Sequence, residues 1–340
     1  MSRRWSAFLL LFLVVGATRP WAKLQFARAE RQGPLPPLFP SDNWWNQDAS
    51  AAPVDPRSAQ FIAAINKGSQ RRLHPDFGGE EAPGSVGIYG LPYAMVGAGQ
   101  PKQAVQFFFA TESDGVDHAS GRSLPFYPIP DEAITEPHWM EGGAPASSGV
   151  SDRHMLIVDR DSRMLYELYG LKWAGSQWTA RSGAAFDLTT NSRRPDGWTS
   201  ADGAGLAILP GLVRYDEASG SGEIRHAFRT TVLATNGYVW PASHGATGSP
   251  HALPMGARLR LKAGKDLSGF HPDMQRVFRA MQRYGLIVAD NGSDLFISGT
   301  FDPRWRDEIV SPAFHALTAS DFEVVELGWR APTTTTSSAR

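Results

Sequence analysis

The 340-residue chain contains no cysteine, which excludes disulfide bonds, thiolate metal ligands and a cysteine nucleophile. It also lacks an excess of charge, since 33 basic residues face 34 acidic ones, and a nucleic-acid partner is therefore not indicated. The short motifs of phosphate loops, dinucleotide-binding folds, serine-hydrolase elbows and zinc proteases are missing as well. Any catalytic activity must therefore come from residues spread along the chain.

Long apolar runs are confined to the N-terminus, where residues 7–17 follow a short basic start. This run is too short for a comfortable membrane span, and we interpret residues 1–29 as a signal peptide. No second segment of the sequence is long and apolar enough to cross a bilayer. The sequence predicts a secreted or periplasmic bacterial protein without a membrane span after cleavage, with retention of the signal as an anchor as the alternative.

Glycine, proline and tryptophan are abundant, with 34, 25 and 11 copies, and this composition favours strands joined by turns. Strand-like runs follow one another with few crossover helices between them. They predict a mainly β fold, an antiparallel β-sandwich or jelly roll with one or two peripheral helices. Apolar residues recur at helical spacing at residues 56–68 and 271–285, which we predict to be those helices.

One domain is predicted, because no internal repeat or linker interrupts the chain between residues 38 and 330. A proline-rich lead-in occupies residues 30–37. The low-complexity tail at residues 331–340 has no packing residues and is predicted to be disordered.

The longest segment without a sustained helical or strand period spans residues 186–217. Long irregular segments in compact domains tend to be functional, although a solvated loop with local Asp and Asn turns is the plain alternative. We expect buried Leu209 and Leu212 to pin its second half, so that the first half forms a rim over a concave face. Its candidate catalytic residues are Asp187, Asp202, Asp216 and Glu217, and its candidate substrate-binding residues are Asn191, Trp198 and Arg214.

Two histidines that follow are further catalytic candidates. His226 lies on the apolar side of a predicted strand, where a buried structural histidine is the common alternative. His244 lies in a glycine-rich turn with little apolar packing available. Between them, Tyr238 and Trp240 share one face of a strand and offer flat surfaces for sugar rings, unless they form a core aromatic pair.

A metal centre is the third possibility for the histidines. The candidate ligands of a divalent metal are His154, His226 and His244, with His74 and Asp76 as further donors, although no tight histidine spacing supports such a site. The sequence itself requires no cofactor.

Basic residues alternate in two strand-like runs. Arg225 and Arg229 lie in the first run, and Arg258, Arg260 and Lys262 lie in the second. This alternation predicts the solvent-facing side of a sheet, with a cradle for an acidic polymer as the less common alternative.

Several segments resemble a family of exported bacterial proteins of unassigned function, over nearly the whole mature chain. These segments are DRHMLIVDRDSRMLYELYG, RPDGWTSADGAGLAILPGLVRYDE, IRHAFRTTV, YVWPASH and YGLIVADNGSDLFISG. The resemblance implies a single exported domain, and it implies neither an activity nor a catalytic residue.

Export, aromatic-rich strands and the acids and histidines between residues 187 and 244 predict an enzyme that cleaves a polysaccharide or oligosaccharide. A glycoside hydrolase would use two carboxylates. A uronate lyase would instead use a histidine base and an arginine or asparagine that holds the substrate carboxylate. The alternatives are a non-catalytic glycan-binding or envelope module and a metal-dependent hydrolase or oxidase. For an enzyme, we predict that Asp187, Asp202, His226 and His244 share one pocket.

Overall fold

The computed structural model describes residues 29–149 and 151–332. The predicted signal peptide, apart from its last residue, and most of the predicted disordered tail lie outside the described residues. Within the described ranges, no helix combines the length and the apolar content that a membrane crossing needs.

Short strands and few helices make up the described chain. The strands are β1 (Glu30–Arg31), β2 (His74–Asp76), β3 (Tyr93–Val96), β4 (Gln103–Phe107), β5 (Val116–Asp117), β6 (Arg122–Ser123), β7 (Pro125–Tyr127), β8 (Met155–Asp159), β9 (Met164–Tyr169), β10 (Lys172–Trp173), β11 (Trp178–Ala180), β12 (Ser182–Asp187), β13 (Phe228–Val232), β14 (Arg258–Leu261), β15 (Leu286–Asn291), β16 (Phe296–Ser298) and β17 (Phe322–Val324). The α-helices are α1 (Ser58–Asn66), α2 (Tyr215–Ala218), α3 (Pro272–Arg283) and α4 (Asp307–His315). The prediction of a mainly β protein with few helices is confirmed.

Most strands belong to one of three sheets in the described chain. The middle sheet has the order β1-β3-β8-β9-β12, the small sheet β10-β11-β4-β7, and the large sheet β17-β14-β15-β13-β16-β2. The sheets are mixed, not antiparallel throughout as the sequence predicted, because β3 runs parallel to β8, β4 to β11, β13 to β15 and β2 to β16. Strands adjacent in the sequence are therefore often separated in space.

The middle sheet is covered on both faces. Met155 and Ile157 of β8 pack into a core shared with the small sheet, while Leu156 and Val158 pack into the larger core shared with the large sheet. All five residues of β8 are buried, which explains why its sequence is a continuous apolar run without alternation.

Both helices predicted from apolar spacing are present. Helix α1 buries Phe61 and Ile65, and α3 buries an apolar stripe that ends before Gly285, whose φ of 79° suits a helix stop. Helix α4 was not predicted, because Pro312 lies inside it and interrupts the expected helical pattern.

The irregular segment at residues 186–217 is pinned to the sheets, as predicted for its second half. Leu209 and Leu212 are fully buried, and burial of two leucine side chains is worth about 3–6 kcal/mol before the cost of ordering the chain. The backbone N–H of Val213 donates to the carbonyl of Ser298 at 3.0 Å, which ties the segment to the large sheet.

A buried carboxylate holds the same segment from the middle sheet. Glu167 of β9 accepts hydrogen bonds from the backbone N–H groups of Ile208 and Leu209, at 2.8 and 2.9 Å. Burial raises the pKa of Glu167 to about 7, although these donors favour the ionised form. The segment is therefore a fixed part of the fold between the two larger sheets.

Candidate functional site

A cavity of about 590 Å³ opens between the middle sheet and the large sheet, and we call it the main cavity. Residues of strands β2, β9, β12, β13, β15 and β16 contribute to its walls, together with the pinned segment. Its acidic and basic lining residues are Asp76, Glu112, Glu141, Asp152, His154, Asp202, Arg229, His244 and Asp290.

Asp202 and Arg229 form a buried ion pair at the edge of this cavity. Nε and Nη2 of Arg229 donate to the two carboxylate oxygens of Asp202, each at 2.8 Å. Nη1 donates to Oγ of Ser298 at 2.7 Å. The side chain of Asp202 is fully buried. Asp202 therefore positions Arg229 and cannot itself contact a substrate, which corrects its predicted role as a catalytic residue.

His154 and Glu141 form a second charged pair in the wall. Nδ1 of His154 donates to Oε2 of Glu141 at 2.8 Å, and Nε2 donates to the carbonyl of Ala201 at 3.0 Å. Burial alone would lower the pKa of His154, but the Glu141 carboxylate raises it to about 9. His154 is therefore an imidazolium with both N–H groups engaged, and it has no free lone pair for a metal or a proton.

This pair predicts a specific pH dependence of stability. Because the pKa of His154 is raised from 6.5 to about 9, its stabilising effect is complete below pH 6.5 and is lost as the pH rises through about 9. We expect the free energy of unfolding to fall over that interval in urea titrations. Glu141→Gln should flatten the curve, and an equal slope in both proteins would contradict the assignment.

Asp290 and Asp76 are acids of the large sheet without a close cationic partner. Asp290 accepts hydrogen bonds from the backbone N–H groups of Asn291 at 2.7 Å and Gly203 at 3.2 Å, while Arg229 is 3.9 Å away. Burial and the nearby Asp202 raise the pKa of Asp290 to about 6. Asp76 is exposed to solvent, yet the surrounding protein removes enough water from it to raise its pKa, against the opposing charge of Arg229.

His244 lines the same cavity, as the sequence indicated for a functional histidine. Its Nδ1 donates to the carbonyl of Gly203 at 2.7 Å, which places the proton of the neutral ring on Nδ1. Within the described residues, Nε2 has no hydrogen-bond partner. The ring can therefore accept a hydrogen bond from a ligand in the cavity.

Aromatic surfaces in the cavity come from residues that the sequence argument did not select. Tyr169 stacks on His154 with ring centroids 5.0 Å apart, and Phe109 and Phe296 also contribute to the lining. Phe109 is 39% exposed, so part of its ring is open to a ligand.

A second cavity of about 480 Å³ contains other predicted site residues. Arg214, Glu217 and His226 line it, and Nε2 of His226 lies 3.0 Å from Oε2 of Glu217 and 2.8 Å from Nη2 of Arg214. Although burial opposes ionisation, Arg214 and His226 hold the pKa of Glu217 well below its usual range. These three residues form a closed ionic cluster that does not line the main cavity.

The predicted convergence of four residues in one pocket is wrong. Asp202 and His244 line the main cavity, His226 lines the second cavity, and Asp187 lines neither. The Asp187 side chain instead accepts hydrogen bonds from Thr189 at the end of β12. Sequence proximity therefore grouped residues that the fold separates.

Other predicted substrate-binding residues also lie outside the main cavity. Trp198 packs near His118 and Arg194, while Trp240 packs edge-on against Trp44 at 6.2 Å. Tyr238 is 42% exposed and does not line either cavity.

Two more candidates from residues 186–217 make contacts elsewhere. Asn191 bonds to Asp42 and Asn43, which follow the lead-in, and Asp216 pairs with Arg304 at 2.8 Å. Neither Asn191 nor Asp216 lines the main or the second cavity.

The three-histidine metal site is not assembled. His226 lies in the second cavity, whereas His154 and His244 line the main cavity. In the part of the chain that the structure describes, no group of three or more histidine, aspartate or glutamate side chains is arranged to hold a metal ion.

The sequence argument did not select Glu141 or Asp290, and it considered Asp76 only as a further metal donor. Asp290 follows the apolar run Leu286–Ala289 directly, and an acid at the end of such a strand is the one local signal that could have found it. Glu141 has no such signal, because its role depends on His154.

The prediction that the basic runs face solvent is correct for Arg225 and Lys262, which are exposed, and wrong for the other three residues. Arg229, Arg258 and Arg260 are buried, at 8%, 6% and 8% exposure. Arg260 pairs with Glu323 at 2.6 Å, and Arg258 donates to the backbone carbonyl of Trp44 at the same distance. A buried guanidinium needs such partners, and they come from distant parts of the chain.

A scan against protein-family models found no matching family, and searches of curated proteins and of solved structures found no match either. The resemblance to exported bacterial proteins stays a prediction. Function therefore has to be inferred from the geometry of this chain.

Proposed function

We propose that the protein is an exported glycoside hydrolase that cleaves a polysaccharide or oligosaccharide in the main cavity. The observation that carries the proposal is the arrangement of Asp290 and Asp76, two acids on β15 and β2 that line one open cavity without a close ion pair. Hydrolysis of a glycosidic bond uses two carboxyl groups of this kind, one as an acid and one as a base or nucleophile.

Asp290 is suited to the acid role, because its pKa of about 6 keeps a proton available near neutral pH. It would protonate the glycosidic oxygen as the bond to the sugar carbon breaks. Asp76 has no hydrogen-bond partner for its carboxylate among the described residues, and it would either take a proton from the attacking water or attack the sugar carbon itself. His244 would bind a sugar hydroxyl through its free Nε2.

The lyase alternative is less well supported by the same geometry. Elimination requires a cation or strong donor that neutralises the uronate carboxylate of the substrate. The donors of Arg229 are directed to Asp202 and Ser298, and both nitrogens of His154 are engaged. Among the described lining residues, these are the two positively charged groups. A uronate would therefore meet acids without a free cationic partner.

A glycan-binding module would explain the aromatic side chains but not the acids. Phe109 and Phe296 supply apolar faces on which sugar rings stack. Binding to a neutral glycan alone gives no reason to keep Asp290 and Asp76 in one cavity where the surrounding protein raises the pKa of both. The acids thus favour catalysis over binding alone.

Product analysis tests this proposal directly. We expect the purified protein to release new reducing ends from a panel of glycans without ultraviolet absorbance from unsaturated sugars. Unsaturated products from a uronic acid polymer would instead establish a lyase. Binding to glycans without any product would establish a binding module.

A further inference from the structure

Two acids of the main cavity are neutralised by cations of the wall. Arg229 pairs with Asp202, and His154 pairs with Glu141. Among the described residues, the hydrogen-bond donors of these two cations are occupied, since they also bind Ser298 and the Ala201 carbonyl. They make no close hydrogen bond to a further acid of the cavity, although the charge of Arg229 still lowers the pKa of Asp290 and Asp76.

Other acids of the cavity have no close cationic partner in the described chain. Asp76, Glu112 and Asp152 form no ion pair within 4.0 Å, and Asp290 has only the 3.9 Å approach of the committed Arg229. One oxygen of Glu112 accepts a hydrogen bond from the Thr199 backbone at 3.1 Å. The cavity wall is therefore strongly negative at neutral pH.

Two further arginines lie near the cavity but do not line it. Nη2 of Arg194 donates to the backbone carbonyl of Glu112 at 2.7 Å, and its Nη1 pairs with Asp114 at 2.6 Å, outside the cavity. Arg181 lies over the ring of Tyr169, 5.8 Å from its centroid, and is exposed to solvent. Burial raises the pKa of Asp76, and the charges of Glu141 and Asp152 act in the same direction against the opposing charges of Arg229 and His154.

A positively charged sugar would reduce the repulsion among the unpaired acids of the cavity. An uncharged sugar leaves the acids unpaired, and a uronic acid adds a further negative charge. A hexosamine with a free amino group is an ammonium ion at neutral pH, and it can donate charge-assisted hydrogen bonds to carboxylates. Neutral sugars and hexosamines both have hydroxyl groups and apolar ring faces, so the aromatic residues and His244 can bind either kind. The acids favour the hexosamine, because it carries a positive charge.

We infer that the main cavity recognises a glycan with free amino groups, and that Asp152 is a specificity-determining residue that binds the ammonium group. This inference rests on the proposed glycoside hydrolase function for its catalytic readout. Asp152 is suited to this role because it is exposed in the cavity wall and has no hydrogen-bond partner for its side chain among the described residues. Asp290 and Asp76 remain available for bond cleavage.

The test compares glucosamine oligosaccharides with their N-acetylated forms, which keep the same sugar skeleton but lack the positive charge. Binding is measured by calorimetry at neutral pH and at two salt concentrations. One charge-assisted hydrogen bond predicts at least about tenfold tighter binding of the free-amine form. We expect this preference to shrink at high salt, because charge attraction at an open site is screened.

Asp152→Asn should reduce the ratio of the two affinities by about tenfold, since it removes the charge and keeps the shape. Asp266→Asn is the matched control, because Asp266 is an exposed loop acid outside the cavity that binds Ser268. The ratio of kcat/KM for the two forms should change in the same way as the affinities.

The outcomes separate the two proposals. Equal or weaker binding of the free-amine form would overturn the inference about substrate charge, even if N-acetylated or neutral glycans are cleaved and the hydrolase function holds. Preferential, Asp152-dependent binding without any cleavage would support the inference and contradict the hydrolase function. Preference that persists in Asp152→Asn would overturn the role of that residue.

Discussion

Replacing Asp290 by asparagine is expected to lower the rate of glycan cleavage by about 10²–10⁴-fold, the usual contribution of a general acid. Asparagine keeps the size of the side chain, and its one amide oxygen can still accept from either Asn291 or Gly203, but it has no acidic proton to transfer. The wild-type rate should also fall as the pH rises through about 6, because only protonated Asp290 can act as the acid. Initial rates at saturating substrate, measured across this pH range, give both results.

Two controls make this result specific. Asp266→Asn changes the same type of side chain at an exposed position and should leave the rate unchanged. Urea unfolding of Asp290→Asn should show a folded protein, since one of the two backbone donors keeps its acceptor. A folded Asp290→Asn variant with more than about a tenth of the wild-type rate would contradict the assignment of Asp290 as the acid.

Replacing Arg229 by methionine should cost about 3–5 kcal/mol of unfolding free energy, because it leaves the fully buried carboxylate of Asp202 without its partner. Ser298 also loses its hydrogen bond to the guanidinium. Denaturant unfolding at neutral pH measures the change.

The double variant Asp202→Leu/Arg229→Met distinguishes a buried ion pair from simple loss of packing. When both charges are removed together, no uncompensated charge remains, and most of the lost stability should return. Arg283→Met is the surface control, because Arg283 is 46% exposed in its pair with Asp48 and such pairs are worth about 0–1 kcal/mol. A double variant as unstable as Arg229→Met would show that packing, not charge, sets the cost.

Apolar periodicity is the part of the fold that the sequence predicts well. The spacing of Phe61 and Ile65 and of Met274, Val277 and Phe278 reflects burial of one helix face, which is a local property. Strand-rich character follows in the same way from turn residues between apolar runs. The order of strands in a sheet cannot be predicted in this way, because parallel pairs such as β2 with β16 join segments that no local pattern connects.

The site is less predictable, because acids of the same type take different roles in different surroundings. The sequence alone does not distinguish the roles of Asp187, Asp202 and Asp290, because the residue type is the same. In the structure, Asp187 makes a local turn with Thr189, Asp202 is neutralised by Arg229, and Asp290 lies in the cavity wall with a raised pKa. These differences depend on partners far away in the sequence. His244 could be selected earlier, because its glycine-rich turn offered little apolar packing.

The parallel pairing of β2 with β16 also has a consequence for the kinetics of folding. It joins residues about 220 positions apart, and it brings the strand of Asp76 beside the strand of Ser298, which holds Arg229. Contacts this distant in sequence form slowly, since a long loop must close before any of them stabilises the chain. The cavity is therefore completed late, because a chain that has not yet formed β16 lacks Phe296 and Ser298 in the cavity wall.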